Sequence, residues 1–90
     1  MTTLTLKTEP LAVDVNFNDG AFVVALDDGR TLAVPITWFP RLAKANPEQR
    51  QNWRLIGRGE GIHWPDVDED ISVLGLLAGF GDTTRRDAAE

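Results

Sequence analysis

Apolar and polar residues alternate from Ala12 onward, which is the period of a β-strand with one face in water. The next segment, residues 21–26, is apolar throughout, as expected of a central strand covered on both sides or of a strand at a dimer contact. A third strand is predicted over residues 30–34, because Pro35 cannot donate a hydrogen bond to a β-ladder. The apolar face of the first strand is predicted to comprise Val13, Val15 and Phe17.

Two short polar segments separate these strands, residues 18–20 (Asn-Asp-Gly) and residues 27–29 (Asp-Asp-Gly). Asp and Gly tolerate the positive φ angles that tight hairpin turns need. The pattern therefore predicts that the first part of the fold is a three-stranded antiparallel meander.

The hydrophobic period changes to that of helices after the third strand. Thr37 is placed to cap a helix, with Pro40 in the first turn, where its missing N–H is tolerated. A second short helix is predicted over residues 47–52, and Asn46 and Gln49 have the spacing of a capping box at its start.

Two more short strands and a last helix follow. Residues 53–56 and 62–64 alternate as strands around a glycine-rich turn, and residues 66–70 are expected to form a loop. Ser72 is placed to cap the last helix, and Gly79 is the expected stop. The buried stripe of that helix is predicted to comprise Val73, Leu76, Leu77 and Phe80.

The predicted fold class is α+β, with a three-stranded antiparallel meander, then helix, two further short strands and a C-terminal helix packed on the sheet. Ninety residues correspond to one domain, residues 1–90, and 42% hydrophobic content is enough for a core. We expect order over residues 10–81 and flexibility in residues 1–9 and 82–90, which lack apolar anchors.

Composition excludes several classes of chemistry. The chain has no Cys, which excludes disulfides, thiolate nucleophiles and cysteine-based zinc sites. Its apolar runs are far shorter than the roughly 20 residues that cross a bilayer. The first residues show no basic region followed by an apolar one, so no secretion signal is expected. We therefore expect a cytoplasmic protein with no membrane partner.

The charged residues are divided between two adjacent segments. The net charge of −5 disfavours nucleic-acid binding, and a nucleic-acid-associated role would need all the basic side chains of residues 41–58 on one face. The two segments either pair with each other or form a two-signed surface for a partner or a second copy. The basic residues are Arg41, Lys44, Arg50, Arg54 and Arg58, with Glu48 among them, and the acidic residues are Glu60, Asp66, Asp68, Glu69 and Asp70.

Two motifs resemble ligand-binding loops but do not complete them. In residues 57–61 (GRGEG) the third glycine is one position early for a dinucleotide fingerprint, and a strand follows, which favours a flexible hairpin. Residues 66–70 (DVDED) have the opening spacing of a calcium loop. Ile71 and Leu77 stand where that loop requires Gly and Glu, which favours carboxylates at a helix entry.

His63 is the single histidine and could form an acid–base pair with Glu60 or Asp66. A lone His among apolar residues is more often a hydrogen-bonded structural group. No Ser lies in a nucleophile-elbow sequence, so no complete catalytic set, cofactor site or metal site is expected. An alternative is a small-ligand-binding or enzymatic domain centred on Glu60, His63 and Asp66.

The leading hypothesis is a non-catalytic interaction module that binds itself or a basic protein partner. Trp and Arg dominate binding hot spots, and an exposed Trp beside an Arg would mark such a surface. The candidate contact residues are Arg54, Arg58, Glu60, His63, Trp64, Asp66, Asp68 and Asp70.

Four stretches together resemble the bacterial domain-of-unknown-function family number 2442, namely residues 26–30, 34–42, 52–57 and 59–73. The resemblance implies short strands covered by helices, and it brings no established catalytic residues. Members are similar to one half of toxin–antitoxin-like gene pairs, and some carry a fused helix-turn-helix domain. No second domain is expected in these 90 residues, so the DNA-binding role of fused members is not expected here.

Overall fold

Two three-stranded antiparallel sheets form the framework of the computed structural model, which describes residues 9–79. The sheets are connected by short helices, and a further helix follows the second sheet. The first sheet contains β1 (Ala12–Phe17), β2 (Ala21–Leu26) and β3 (Thr31–Pro35), and the second contains β4 (Arg54–Ile56), β5 (Gly61–Trp64) and β6 (Glu69–Ser72). The α+β class and the opening meander are therefore confirmed. The flexibility expected of residues 1–9 and 82–90 lies outside the described residues except at Glu9, and so does the order expected of residues 80–81.

A β-bulge changes which residues of β1 face the core. Ala12 is opposite Leu26 but Asp14 is opposite Ala25, so Val13 is an extra residue in the ladder. As a result Val13 is 53% exposed and Ala12 is buried. The prediction that Val13 belongs to the apolar face was wrong, because strict alternation fails at a bulge.

Strand β2 is central, as predicted, but its two faces differ in burial. Phe22, Val24 and Leu26 are buried, whereas Val23 and its neighbours on the opposite face are half-buried. Ala33, which is opposite Val23 on β3, is exposed. Coverage on both sides is therefore incomplete among the described residues, and a dimer contact through β2 stays a prediction.

The helical segment begins with a 3₁₀ helix (Ile36–Trp38) and continues with α1 (Pro40–Ala43). Thr37 lies inside the 3₁₀ helix, so its predicted capping role was wrong. The residue before a proline is disfavoured in helical conformation, and Phe39 is accordingly extended and separates the two segments. Pro40 lies in the first helical turn, as predicted, but Phe39 and not Thr37 precedes that turn as the N-cap residue.

Helix α2 (Pro47–Gln51) carries the predicted capping box. The Asn46 carboxamide oxygen accepts the N–H of Gln49 at 2.8 Å, and the Gln49 side chain accepts the N–H of Asn46 at 3.0 Å. These two bonds satisfy backbone donors that a helix start otherwise leaves unpaired.

Helix α3 (Val73–Leu77) begins and ends at the predicted residues. The Ser72 hydroxyl accepts the N–H of Gly75 at 3.1 Å, and Gly79 takes a φ of +90° after the last turn. Val73 and Leu76 are buried, but Leu77 is 39% exposed, so its place in the buried stripe was wrong. The predicted burial of Phe80 lies outside the described residues.

Strand β6 replaces part of the loop predicted over residues 66–70. It pairs with β5, and its alternation buries Glu69 and Ile71. Acidic residues are depleted in strands, and this composition concealed the period of two. Asp68 takes a φ of +56° in the turn that precedes the strand.

The inner faces of the two sheets pack on each other around an aromatic cluster. Trp64 is fully buried, 6.1 Å from Phe22 and 6.2 Å from Phe17 between ring centroids, and its indole N–H donates to the Arg50 carbonyl at 3.0 Å. The outer face of the second sheet is thereby left on the surface. No helix within residues 9–79 has the length and apolar character needed to span a bilayer.

The β4–β5 turn lies directly against the start of β1. The Gly59 carbonyl accepts the N–H of Ala12 at 2.8 Å. Gly59 has a φ of +117°, and a Cβ at this position would lie 2.4 Å from the Ala12 carbonyl oxygen. Only glycine therefore fits where the two sheets meet.

Candidate functional site

A row of three polar side chains crosses the outer face of the second sheet. Along β5, Ile62 and Trp64 point into the core, so Gly61 and His63 lie on the outer face. His63 is opposite Arg54 on β4 and opposite Asp70 on β6. We call Arg54, His63 and Asp70 the charged row. It has a cation at one end, an imidazole in the middle and a carboxylate at the other end.

His63 is hydrogen-bonded to Asp70, with its Nδ1–H donating to the carboxylate oxygen Oδ1. The Asp70 side chain remains 67% exposed, which leaves its second oxygen accessible to a partner. Sequence reasoning considered Glu60 and Asp66 as partners of His63 because they are near in the chain. The true partner is seven residues away and is brought adjacent by strand pairing.

An open depression of about 330 Å³ lies beside the charged row. It arises at Gly61, which has no side chain between Ile56 on β4 and Ser72 on β6. A Cβ at Gly61 would lie 3.1 Å from Cδ1 of Ile56, so Ile56 leans over the glycine. Ile56 is nevertheless 41% exposed. The lining residues are Ile56, Glu60, Gly61, Asp70, Ile71 and Ser72.

The Glu60 carboxylate closes the glycine-rich turn from inside. Its Oε1 accepts the N–H of Arg58 at 2.7 Å, and this hydrogen bond lowers the pKa of Glu60. A Cβ at Gly57 would lie 2.3 Å from the same oxygen. The predicted hairpin is confirmed, since the turn joins antiparallel strands β4 and β5. The Glu60 carboxylate therefore already accepts the backbone N–H of Arg58, which a bound anion would otherwise use.

The other candidate contact residues lie elsewhere. Trp64 is in the core and so is not part of any surface. Asp66 accepts a hydrogen bond from the Asn52 side chain at 3.1 Å. The carbonyl of Asp68 accepts a hydrogen bond from Arg41 Nη1 at 2.7 Å. Arg58 is exposed in the β4–β5 turn.

Arg50 has a structural position at the end of α1. Its guanidinium donates to the carbonyls of Leu42 and Ala43, each at 3.0 Å, and lies 5.8 Å from the centre of the Phe17 ring. Cations favourably satisfy the last carbonyls of a helix. A face with all five basic side chains free to contact phosphates is therefore not present.

The three residues considered from the sequence as an acid–base centre, Glu60, His63 and Asp66, do not line one cavity. Glu60 lines the depression, whereas His63 and Asp66 do not. Within residues 9–79 no three His, Asp or Glu side chains are arranged to hold a metal ion. Asp66 and Asp68 belong to the β5–β6 turn, while Asp70 lies on the sheet.

The same fold occurs in two solved structures. A protein of unknown function from Rhodospirillum rubrum is 31% identical, with a TM-score of 0.73, and the match covers 83% of this chain and 93% of that one. An uncharacterised protein from Chromobacterium violaceum is 25% identical, with a TM-score of 0.71 and coverage of 90% and 75%. No curated protein matches the sequence. The family model described as protein of unknown function, DUF2442, matches residues 12–82, and the chain therefore belongs to this family.

Proposed function

We propose that this protein is a non-catalytic protein-interaction module that contacts its partner through the outer face of the second sheet. The observation that carries the proposal is the charged row beside a depression bordered by an exposed isoleucine. Protein interfaces combine an apolar centre with a polar rim, and this face offers both within three short strands.

The ends of the charged row are available to a partner. Within residues 9–79, Arg54 makes no side-chain hydrogen bond or ion pair, and Asp70 is bonded through one oxygen only. Neighbouring strands are about 4.8 Å apart, so β4 and β6, which carry the two charged side chains, are separated by roughly 10 Å. Opposite charges at a fixed spacing fix the orientation of a bound protein and disfavour wrong partners.

Two further points favour interaction over catalysis. His63 is held by Asp70, away from Glu60 and Asp66, so the acid–base centre considered from the sequence does not assemble around one cavity. The family resemblance also implies toxin–antitoxin-like gene pairs. In such a pair, the antitoxin-like member contacts its protein partner through the outer face of the second sheet.

The proposal is tested by co-expression with the product of the gene adjacent to its own. The complex mass is measured by light scattering for the wild type and for R54E/D70K, which exchanges the two charges and keeps the net charge constant. A complex that is lost in R54E/D70K supports the proposed contact face.

The matched control is D19K/K44E, which exchanges two exposed charges outside the second sheet and also keeps the net charge. The control is expected to bind as the wild type does. Equal binding by both double variants, or no complex with the wild-type protein, contradicts the proposal.

A further inference from the structure

We propose that the outer face of the second sheet pairs two copies of this chain around a two-fold axis parallel to β5. This inference rests on the interaction role proposed above and adds a second copy of the chain as a partner for the same face. It follows from the order of the side chains along two adjacent rows of the sheet, the charged row and the row formed by Ile56, Gly61 and Ser72.

The charged row is complementary to itself under this rotation. An axis that lies between the copies and runs along β5 brings the β4 side of each copy against the β6 side of the other. Arg54 of each copy then faces Asp70 of the other, and the same ion pair forms twice. His63 lies near the axis, and Asp70 keeps its bond from His63 while its second oxygen accepts from the opposing guanidinium.

The second row fits the same rotation by shape. Ile56 leans over Gly61 from one side, and the depression continues toward Ser72 on the other side. The rotation places Ile56 of the second copy above Ser72, in the unfilled part of the depression. The two isoleucine side chains then lie side by side over the glycines, which removes from water an apolar group that is 41% exposed in one chain. One symmetry operation thus satisfies both charge and shape.

The size of the face sets the strength of the association. Strands of three, four and four residues form a face roughly 14 Å by 13 Å. This is smaller than the roughly 800 Å² that each partner buries in a standard stable interface. The net charge of −5 on each copy also opposes association. The dimer is therefore weak and must be sought at high concentration.

Two charge reversals and their mixture test the pairing. R54E places two carboxylates opposite each other at both ends of the row, and D70R places two guanidinium groups there. Each variant alone is expected to sediment as a monomer from about 10 µM to about 1 mM, where the wild type shows concentration-dependent dimerisation. An equimolar mixture restores opposite charges at both ends, so a heterodimer is expected to form at wild-type strength.

The mixture distinguishes the proposed pairing from an effect of net charge, because both variants remain acidic overall and so still repel each other. The exposed-site variants K44E and D19R are the controls and are expected to dimerise as the wild type does. A mixture that stays monomeric while the wild type dimerises overturns the inference. So does a wild type that is monomeric at about 1 mM.

Amide chemical shifts on dilution provide a second measurement. Changes confined to β4, β5 and β6 support the pairing, and changes confined to Val23 and Ala33 would place the contact on the first sheet. The dimer is refuted, and the proposed function stands, if the wild type is monomeric and the complex with the product of the adjacent gene is still lost in R54E/D70K.

Discussion

The two sheets have the same three-stranded antiparallel topology but expose different chemistry. The outer face of the first sheet has Val23, which is half-buried, and Ala33, which is exposed, beside the hydrogen-bonded polar side chains of Asp14 and Asn16 on β1. The outer face of the second carries the charged row and the depression at Gly61. The first sheet has strands of five or six residues and supplies much of the core, whereas the second has strands of three or four. The longer sheet acts as the scaffold for the shorter one.

The largest expected effect comes from the point where the sheets meet. Gly59→Ala is expected to destabilise the fold by about 3 kcal/mol, because the residue has a φ of +117° and its new Cβ would clash with the Ala12 carbonyl. Denaturant unfolding measures the change. Gly20→Ala is the control, since nothing lies within 4 Å of a Cβ there, and it should cost under about 1 kcal/mol. Equal costs would mean that the β4–β5 turn does not lie against β1.

The bulge in the first sheet predicts an unequal response of two valines. Val15→Ala is expected to cost about 2 kcal/mol, because it truncates a buried side chain. Val13→Ala is expected to change stability by less than about 0.5 kcal/mol, because its side chain is exposed. Thermal unfolding of the two variants measures both values. If Val13→Ala lost as much stability as Val15→Ala, both side chains would face the core, as strict alternation requires. That result would contradict the bulge.

Helix capping gives a smaller contrast. Ser72→Ala is expected to cost about 1 kcal/mol, because the hydroxyl accepts the N–H of Gly75 at the start of α3. Thr37→Ala is expected to cost less than about 0.5 kcal/mol, because Thr37 does not cap a helix. Chemical unfolding at neutral pH compares them. A larger loss in Thr37→Ala would indicate a helix start that differs from the one described.

The smallest expected effect concerns one carboxylate in a turn of each sheet. The Arg30 guanidinium and backbone N–H lower the pKa of Asp28, and the Arg58 N–H lowers the pKa of Glu60. A lowered folded-state pKa stabilises the fold above the unfolded-state pKa, and this contribution is lost as the pH falls through the folded-state value. Glu60→Gln and Asp28→Asn should each flatten the acid side of the stability profile.

Salt distinguishes the two turns. In about 1 M salt the pKa of Asp28 should return toward its ordinary value more than that of Glu60, because an exposed ion pair is screened more than a hydrogen bond from an amide. Carboxyl carbon shifts across an acid titration measure both groups. A large salt response of equal size in the two carboxylates would show that both are held mainly by charge.

Short-range rules predicted the parts of the fold that depend on neighbouring residues. The hairpin turns, the capping box of Asn46 and Gln49, and the cap at Ser72 each involve groups within four residues. The break at Phe39 was also predictable, since a residue before proline avoids the helical region. Sequence reasoning missed this signal by giving Thr37 the capping role.

The sequence by itself determined the fold class, the family of this protein and the order of its elements apart from β6. The tertiary structure alone decided that Val13 is exposed, that an acidic segment becomes β6, and that Arg54, His63 and Asp70 form one row. The physical reason is strand register. It is set by which side chains the core can bury, and it brings together residues that are distant along the chain.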